Sequence, residues 1–240
     1  MKPILEVNQY SKRFDLHILN NKRINALNNV SFRVNPGEIV GLVGKSGSGK
    51  STLMKSVYRT YLSTSGEIRY DSLRYGPIDL VQATDHQIIA LRRDEITYCS
   101  QFLSVMPRVS AVNVVAANLF RRGVERETAR AQTREYLHRL GLPEELWDAY
   151  PATFSGGEQQ RINVARSIIA RPRLLLIDEP TASLDQKTKD VVIDMITALK
   201  SGGTSVLCIS HDPYTLECMT DRTIELQEGN LVVSHLSFDN

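Results

Sequence analysis

Cysteine is scarce in this sequence, with three in 240 residues: Cys99, Cys208 and Cys218. The number is odd and no C-x-x-C spacing occurs, which argues against a disulfide framework and against a zinc site. A reducing, cytoplasmic setting is expected, with the three thiols in or near the core. Long apolar runs are missing as well. The longest candidates, such as Leu174 to Ile177, are strand-sized and far short of the ~18 residues of a membrane span. Direct membrane insertion is therefore not expected, and the apolar stretch in Met1-Lys2-Pro3-Ile4-Leu5-Glu6 is too short for a signal peptide. Charge of one sign does not dominate: 29 Lys and Arg stand against 27 Asp and Glu, a net +2. That leaves no bulk attraction toward nucleic acid or acidic membranes. Internal repeats and low-complexity segments are lacking. What is there is an ordinary soluble balance, 42% hydrophobic and 23% charged, long enough for one sizeable core. A single domain over residues 1–240 is expected.

Strand patterns open the chain, Ile4 to Tyr10 and Ala26 to Val34, with turn residues between. A buried-strand run, Glu38 to Val43, ends in a glycine-rich loop. From Ser51 to about Tyr61 the apolar residues Leu53, Met54, Val57 and Tyr61 recur at helical steps. Gly66 to Tyr70 and Ile78 to Val81 read as a short β excursion. Residues from about 102 to 160 are rich in Arg, Glu, Ala and Leu and read as a helical sub-lobe. Strand–helix alternation then returns: helix 157–170, strand 174–177, helix 187–200, strand 206–210. A turn at Glu228-Gly229-Asn230 joins two last strands. The alternation predicts an α/β core with a mainly parallel sheet.

Gly44-Lys45-Ser46-Gly47-Ser48-Gly49-Lys50-Ser51 matches the P-loop pattern at every defined position, with a strand before it and a helix after it. Its glycines let successive backbone N–H groups turn toward phosphate oxygens, and the helix start adds its dipole. Lys50 should reach the β- and γ-phosphates, and the Ser51 hydroxyl should bind Mg²⁺; Thr52 follows as a further nucleotide contact. A nucleoside triphosphate with Mg²⁺ is thus the expected ligand. The run Leu174-Leu175-Leu176-Ile177-Asp178-Glu179 is a strand ending in two carboxylates that alternate sides. Asp178 suits the Mg²⁺ shell and Glu179 the polarisation of the attacking water. Pro180 after Glu179 predicts an extended backbone at the glutamate. His211 follows a Val-Leu-Cys-Ile strand, and Asp212-Pro213 reads as an N-cap with Pro at the first helical position. Such a histidine sits at a strand's carboxyl end, where ligands of these sheets bind.

Ser155-Gly156-Gly157-Glu158-Gln159-Gln160-Arg161 resembles the signature motif of the ATP-binding-cassette (ABC) ATPases, which other P-loop ATPases lack. Other elements of that family stand around it in order. Gln101 resembles the Q-loop glutamine, Ala182-Ser183-Leu184-Asp185 the D-loop, His211 the switch histidine, and Phe14 the aromatic that stacks on adenine, with Tyr10 as its rival. The resemblance implies a P-loop NTPase fold of the ABC nucleotide-binding type: a RecA-like core, an antiparallel β lobe and a helical sub-lobe. It also implies ATP hydrolysis, with Glu179 and His211 catalytic, Gln101 reaching both nucleotide and metal, and Ser155, Gly156, Gly157, Glu158 and Asp185 serving a nucleotide held by a second ABC protomer. Ser155-x-x-Glu158 reads in addition as a capping box opening a helix.

Two partner classes follow from finer resemblances. Tyr98 to Val115, together with residues 56–62, Phe154 to Arg166 and Thr181 to Asp185, resembles an ABC-type component of the bacterial phosphonate carbon–phosphorus lyase system. That implies a cytoplasmic ATPase working with soluble lyase subunits. The Gly-Glu-Gln-Gln-Arg signature and the Leu-Arg-Arg to Gln region also resemble ATPases of lipoprotein-release and macrolide-efflux transporters, the alternative reading.

Overall fold

The computed structural model describes residues 2–16, 22–104 and 107–232. Two sheets organise them. The smaller is antiparallel, in the order β2 (Lys22–Val34), β1 (Leu5–Leu16), β4 (Ser65–Ser72), β5 (Gly76–Asp79). The larger runs β10 (Asn230–Val232), β9 (Arg222–Gln227), β3 (Ile39–Val43), β8 (Ser205–Ile209), β7 (Leu174–Asp178), β6 (Ile96–Cys99). All of its pairs are parallel except β9 with β10. The helices are α1 (Lys50–Val57), α2 (Asp85–Asp94), α3 (Ala111–Arg121), α4 (Arg126–Arg139), α5 (Gly156–Ile168), α6 (Gln186–Ser201) and α7 (Pro213–Met219).

The large sheet is apolar on both faces because side chains alternate and each face has its own cover. Leu174, Leu176, Leu207 and Ile209 point into a core shared with α1, α2 and the small sheet. Leu175, Ile177, Val206 and Cys208 point into a second core shared with α3, α4, α5 and α6. Between β6 and α5 the described chain forms only helices, α3, α4 and two 3₁₀ turns at 144–146 and 151–153. This is the α/β P-loop fold with a β lobe and a helical lobe.

Several local expectations shift. The helix after the glycine-rich loop stops at Val57, because Arg59 adopts a left-handed φ of 64°; Tyr61 lies beyond it and packs edge-on against Phe14. The sequence reading has no counterpart to α2 or β6. Cys99 and Cys208 are buried, whereas Cys218, on α7, is exposed. Asp212 does occupy the N-cap position of α7, but its side chain does not cap: it accepts from Lys189 Nζ (2.7 Å) and Thr215 Oγ1 (3.0 Å).

Candidate active site

The register of the large sheet brings the candidate residues together. Leu42 pairs with Ile209, and Ile209 with Asp178. The loops leaving β3, β7 and β8 therefore emerge side by side at the carboxyl edge of the sheet, the usual ligand position in open α/β folds. There a cleft of about 710 Å³ is lined by Ser46, Gly47, Gly49, Lys50, Ser51, Thr52, Gln101, Asp178, Glu179 and His211. Phe14, Asn25 and Ala26 of the small sheet close its far end. Its size falls in the range of small-molecule pockets, ~300–1,000 Å³.

Backbone packing dictates the glycines of the loop. Gly49 has φ 107°, and a Cβ there would lie 2.5 Å from the Ala26 carbonyl of β2; a Cβ on Gly44, φ 138°, would collide with the Leu226 carbonyl of β9. The loop is thus clamped between the two sheets. The turn at Gly229 completes the clamp: its N–H donates to Ser48 O (3.0 Å), and its carbonyl accepts from Asn28 N–H (2.8 Å). Lys50 lies buried in the loop, donating to Gly44 O at 2.7 Å and Lys45 O at 3.0 Å. Burial lowers its pKa, opposed by the charges of Glu179 and Asp178.

The donor set fits MgATP. Ser51 Oγ donates to Asp178 Oδ2 at 3.2 Å, so a hydroxyl and a carboxylate face one point beside the loop. Mg²⁺ with a triphosphate needs one or two such protein ligands, the phosphates and water completing its octahedron. No cluster of three acidic, His or Cys ligands occurs among the described residues. Burial raises the pKa of Asp178, moderated by Ser51 and by Lys55, Lys50 and His211.

Glu179 departs from expectation. Its φ is 54°, left-handed rather than extended. Two contacts fix that conformation: its N–H donates to Ile209 O (2.9 Å), and its carbonyl accepts from Gln160 Nε2 (2.8 Å). These contacts outweigh the bias that Pro180 imposes. The carboxylate atom Oε1 is buried without a hydrogen-bond partner. His211 Nε2, on a largely exposed ring, approaches it only to 3.7 Å. Burial pushes the carboxyl's pKa up, the His211 backbone and ring pull it back, and the negative Asp178 adds to the rise. A buried acceptor lacking a donor requires an explanation, such as a donor held in the cleft that Glu179 lines.

Some of the predicted residues lie elsewhere. Ser155, Gly156, Gly157, Glu158 and Asp185 do not line the cleft. Ser155 caps α5, accepting from Glu158 N–H at 3.3 Å while Glu158 Oε2 accepts from Ser155 N–H at 2.8 Å, the expected capping box. Asp185 caps α6 through Thr188 N–H at 3.0 Å. Lys45 and Ser48 line a second hollow beside Glu225 to Glu228, and Gly44 does not line the cleft. Of the two aromatics, Phe14 lines the cleft, whereas Tyr10 is 1% exposed in the core. The sequence reading missed Asn25, Ala26, Glu228 and Gly229, which join the site only through β2 and the β9–β10 turn, and it gave Gln160 no role.

The sequence profile of the ABC transporter family matches residues 27–182. The chain is an ABC ATPase. Among relatives of this ABC ATPase is the lipoprotein-releasing system ATP-binding protein LolD 1 of Rhodospirillum rubrum, 37% identical over 88% of this chain and 91% of that protein. The macrolide export ATP-binding/permease protein MacB of Syntrophobacter fumaroxidans is 37% identical over 85% of this chain, but over only 28% of its own length. An ATP-binding cassette solved as a dimer in a post-hydrolysis state, bound to ADP and Pi, superposes with TM-score 0.86 and 28% identity, covering 95% of this chain and 97% of that one. As an ABC ATPase the chain hydrolyses ATP, and its fold implies ATP and Mg²⁺ as ligands. No described helix is long and apolar enough to cross a membrane.

Proposed function

We propose that two ABC protomers meet head to tail, and that each ATP lies between the P-loop of one and Ser155-Gly156-Gly157 of the other. The carrying observation is the division of the motif residues within one chain. Lys50, Ser51, Asp178, Glu179 and His211 line one cleft, whereas the residues opening α5 are not part of its lining. A helix N-terminus with two small residues is suited to an anion, and the relative solved with ADP and Pi is a dimer.

In this reading Phe14 packs on adenine, the P-loop amides and Lys50 hold the phosphates, and Ser51, Asp178 and Gln101 serve Mg²⁺. When bound, the ion draws charge from the β- and γ-phosphate oxygens. Glu179 accepts a hydrogen from the attacking water and holds it in line, and His211 faces the γ-phosphate. Asp185 sits at the seam between protomers. Hydrolysis opens the dimer and so moves a bound partner.

The relatives support a transporter permease as that partner, since LolD and MacB are named for lipoprotein release and macrolide export. The phosphonate carbon–phosphorus lyase reading, with this chain as the PhnL-type ATPase, is supported only by the stretches named above; residues 105 and 106 of the first lie outside the described ones. Purification from native cells separates the two. Soluble lyase subunits recovered without detergent select the second, and an integral membrane permease selects the first.

The site itself is tested by Glu179→Gln, which keeps the volume and removes most of the basicity. Turnover should fall on the order of a hundredfold or more, ATP should still bind, and size-exclusion chromatography in MgATP should show a persistent dimer. Near-native turnover would overturn the assignment.

A further inference from the structure

Gln160 is 5% exposed, in the second turn of α5. Its amide does not face solvent or its own helix. Nε2 donates to Glu179 O at 2.8 Å and to Pro180 O at 3.2 Å. Both amide hydrogens are thus spent on the two carbonyls around the bend that carries Glu179. That bend is strained: a non-glycine residue at φ 54° persists only where its surroundings over-determine it. Glu179 N–H is tied to Ile209 O on β8 at 2.9 Å, so Gln160 and β8 grip one residue from opposite sides. Close contact between α5 and the loop after Glu179 recurs at Gly157, where a Cβ would lie 3.0 Å from Ser183 O.

We propose that Gln160 is a positioning residue for Glu179, through which a shift of α5 re-aims the carboxylate. The inference rests on Glu179 polarising the water, and on the start of α5 serving the nucleotide of the other protomer. Its consequence is communication between the two nucleotides. Whatever draws Ser155 toward one phosphate pulls, through a single helix, on the carbonyl of the residue that orients the water attacking the other. A backbone bend held by hydrogen bonds from both α5 and β8 has little slack, and a displacement of about 1 Å at a reacting group costs up to ~10²-fold in rate.

The test compares Gln160→Met, Gln160→Glu and Glu179→Gln with the native protein, each first shown to melt cooperatively. Gln160→Met keeps the length and loses both donors. Its kcat should fall roughly ten- to a hundredfold, while KM for ATP stays within about twofold, since an interaction that only aims the base is lost from kcat alone. Gln160→Glu gives a signature that packing does not. Its carboxylate faces two carbonyl oxygens and donates only when protonated, so its kcat relative to native should rise as pH falls from about 8 to 6, toward the carboxyl's own range. Native-like kcat in Gln160→Met, or a flat Gln160→Glu ratio across that range, overturns the proposal. If Glu179→Gln itself turns over normally, the reading of Glu179 has failed instead, and the outcomes separate the two.

Discussion

Glu179 is kept in a state that does not favour stability at neutral pH. Its pKa is raised by burial first, and by Asp178 in addition, so the folded chain holds that proton more tightly than the unfolded chain does. The stabilising contribution is therefore full below the ordinary glutamate value, about 4.3, and is lost as pH rises through the elevated folded value. Glutamine does not titrate. The melting temperature of Glu179→Gln relative to native should consequently increase between about pH 4 and pH 8, each kcal/mol being worth about 2–4 °C in a chain of this size. A difference independent of pH, by differential scanning fluorimetry without nucleotide, would contradict this. Glu158 is the opposite case, its carboxyl held below the usual range by the Ser155 backbone and hydroxyl. In the proposed dimer the same Ser155 groups would serve a phosphate across the seam, and the carboxylate would repel that phosphate. Glu158→Gln should leave unliganded stability within about 1 kcal/mol while changing the ATP concentration needed for dimerisation; unchanged association in analytical ultracentrifugation would refute the idea. Most of these residues could be read from the chain because each lies in a short contiguous motif. The conformation of Glu179 could not: the local rule for a residue before proline was overruled by partners on β8 and α5, which no sequence window contains.

Among the elements, the β4–β5 hairpin is held by a carboxylate from outside itself. Glu95, 5% exposed at the end of α2, accepts from Tyr70 Oη, Ser72 Oγ, Leu73 N–H and Arg74 N–H at 2.8–3.2 Å. Its own carbonyl accepts from Arg173 and Leu174 N–H, at 2.9 and 3.0 Å. One residue thus bolts the small sheet to the edge of the large one. Glu95→Ala strands the two buried hydroxyls of Tyr70 and Ser72 and should cost roughly 3 kcal/mol, read from urea unfolding; a loss below about 1 kcal/mol would mean that water replaces the carboxylate freely. Neither α2 nor β6, which flank this residue, was legible. In α2 only Ile88 and Leu91 are buried, while Ile89 is 63% exposed, which blurs the helical stripe. β6 has four residues and follows with no glycine or proline to announce it. The elements with clean patterns, β2, α5, α6 and β7, were read to within a few residues, because burial on a single face leaves a period in the sequence and burial on both leaves an unbroken apolar run.

For the whole molecule, the nucleotide sites are proposed to be shared between chains. Specific ATPase activity should then rise with protein concentration below the dimerisation constant, as mass action requires. A monomer of constant specific activity on dilution, with light scattering as the control, would exclude a shared site.

The order of strands in the large sheet has one more consequence, for the chain as it is being made. β3, which ends in the P-loop, pairs only with β8 and β9, and the loop is braced by Leu226 and Gly229. Every one of these partners is synthesised late. Chains emerge from the ribosome in order, and contacts between distant segments wait for the later one. A nascent chain therefore carries its P-loop sequence long before it carries a P-loop. Arrested on the ribosome with residues up to 204 exposed, it should not retain ATP, and retention should begin only when the β9–β10 turn clears the exit. Throughout translation the unfinished protein would then be unable to use nucleotide, because its P-loop is assembled only when the last strands of the sheet arrive.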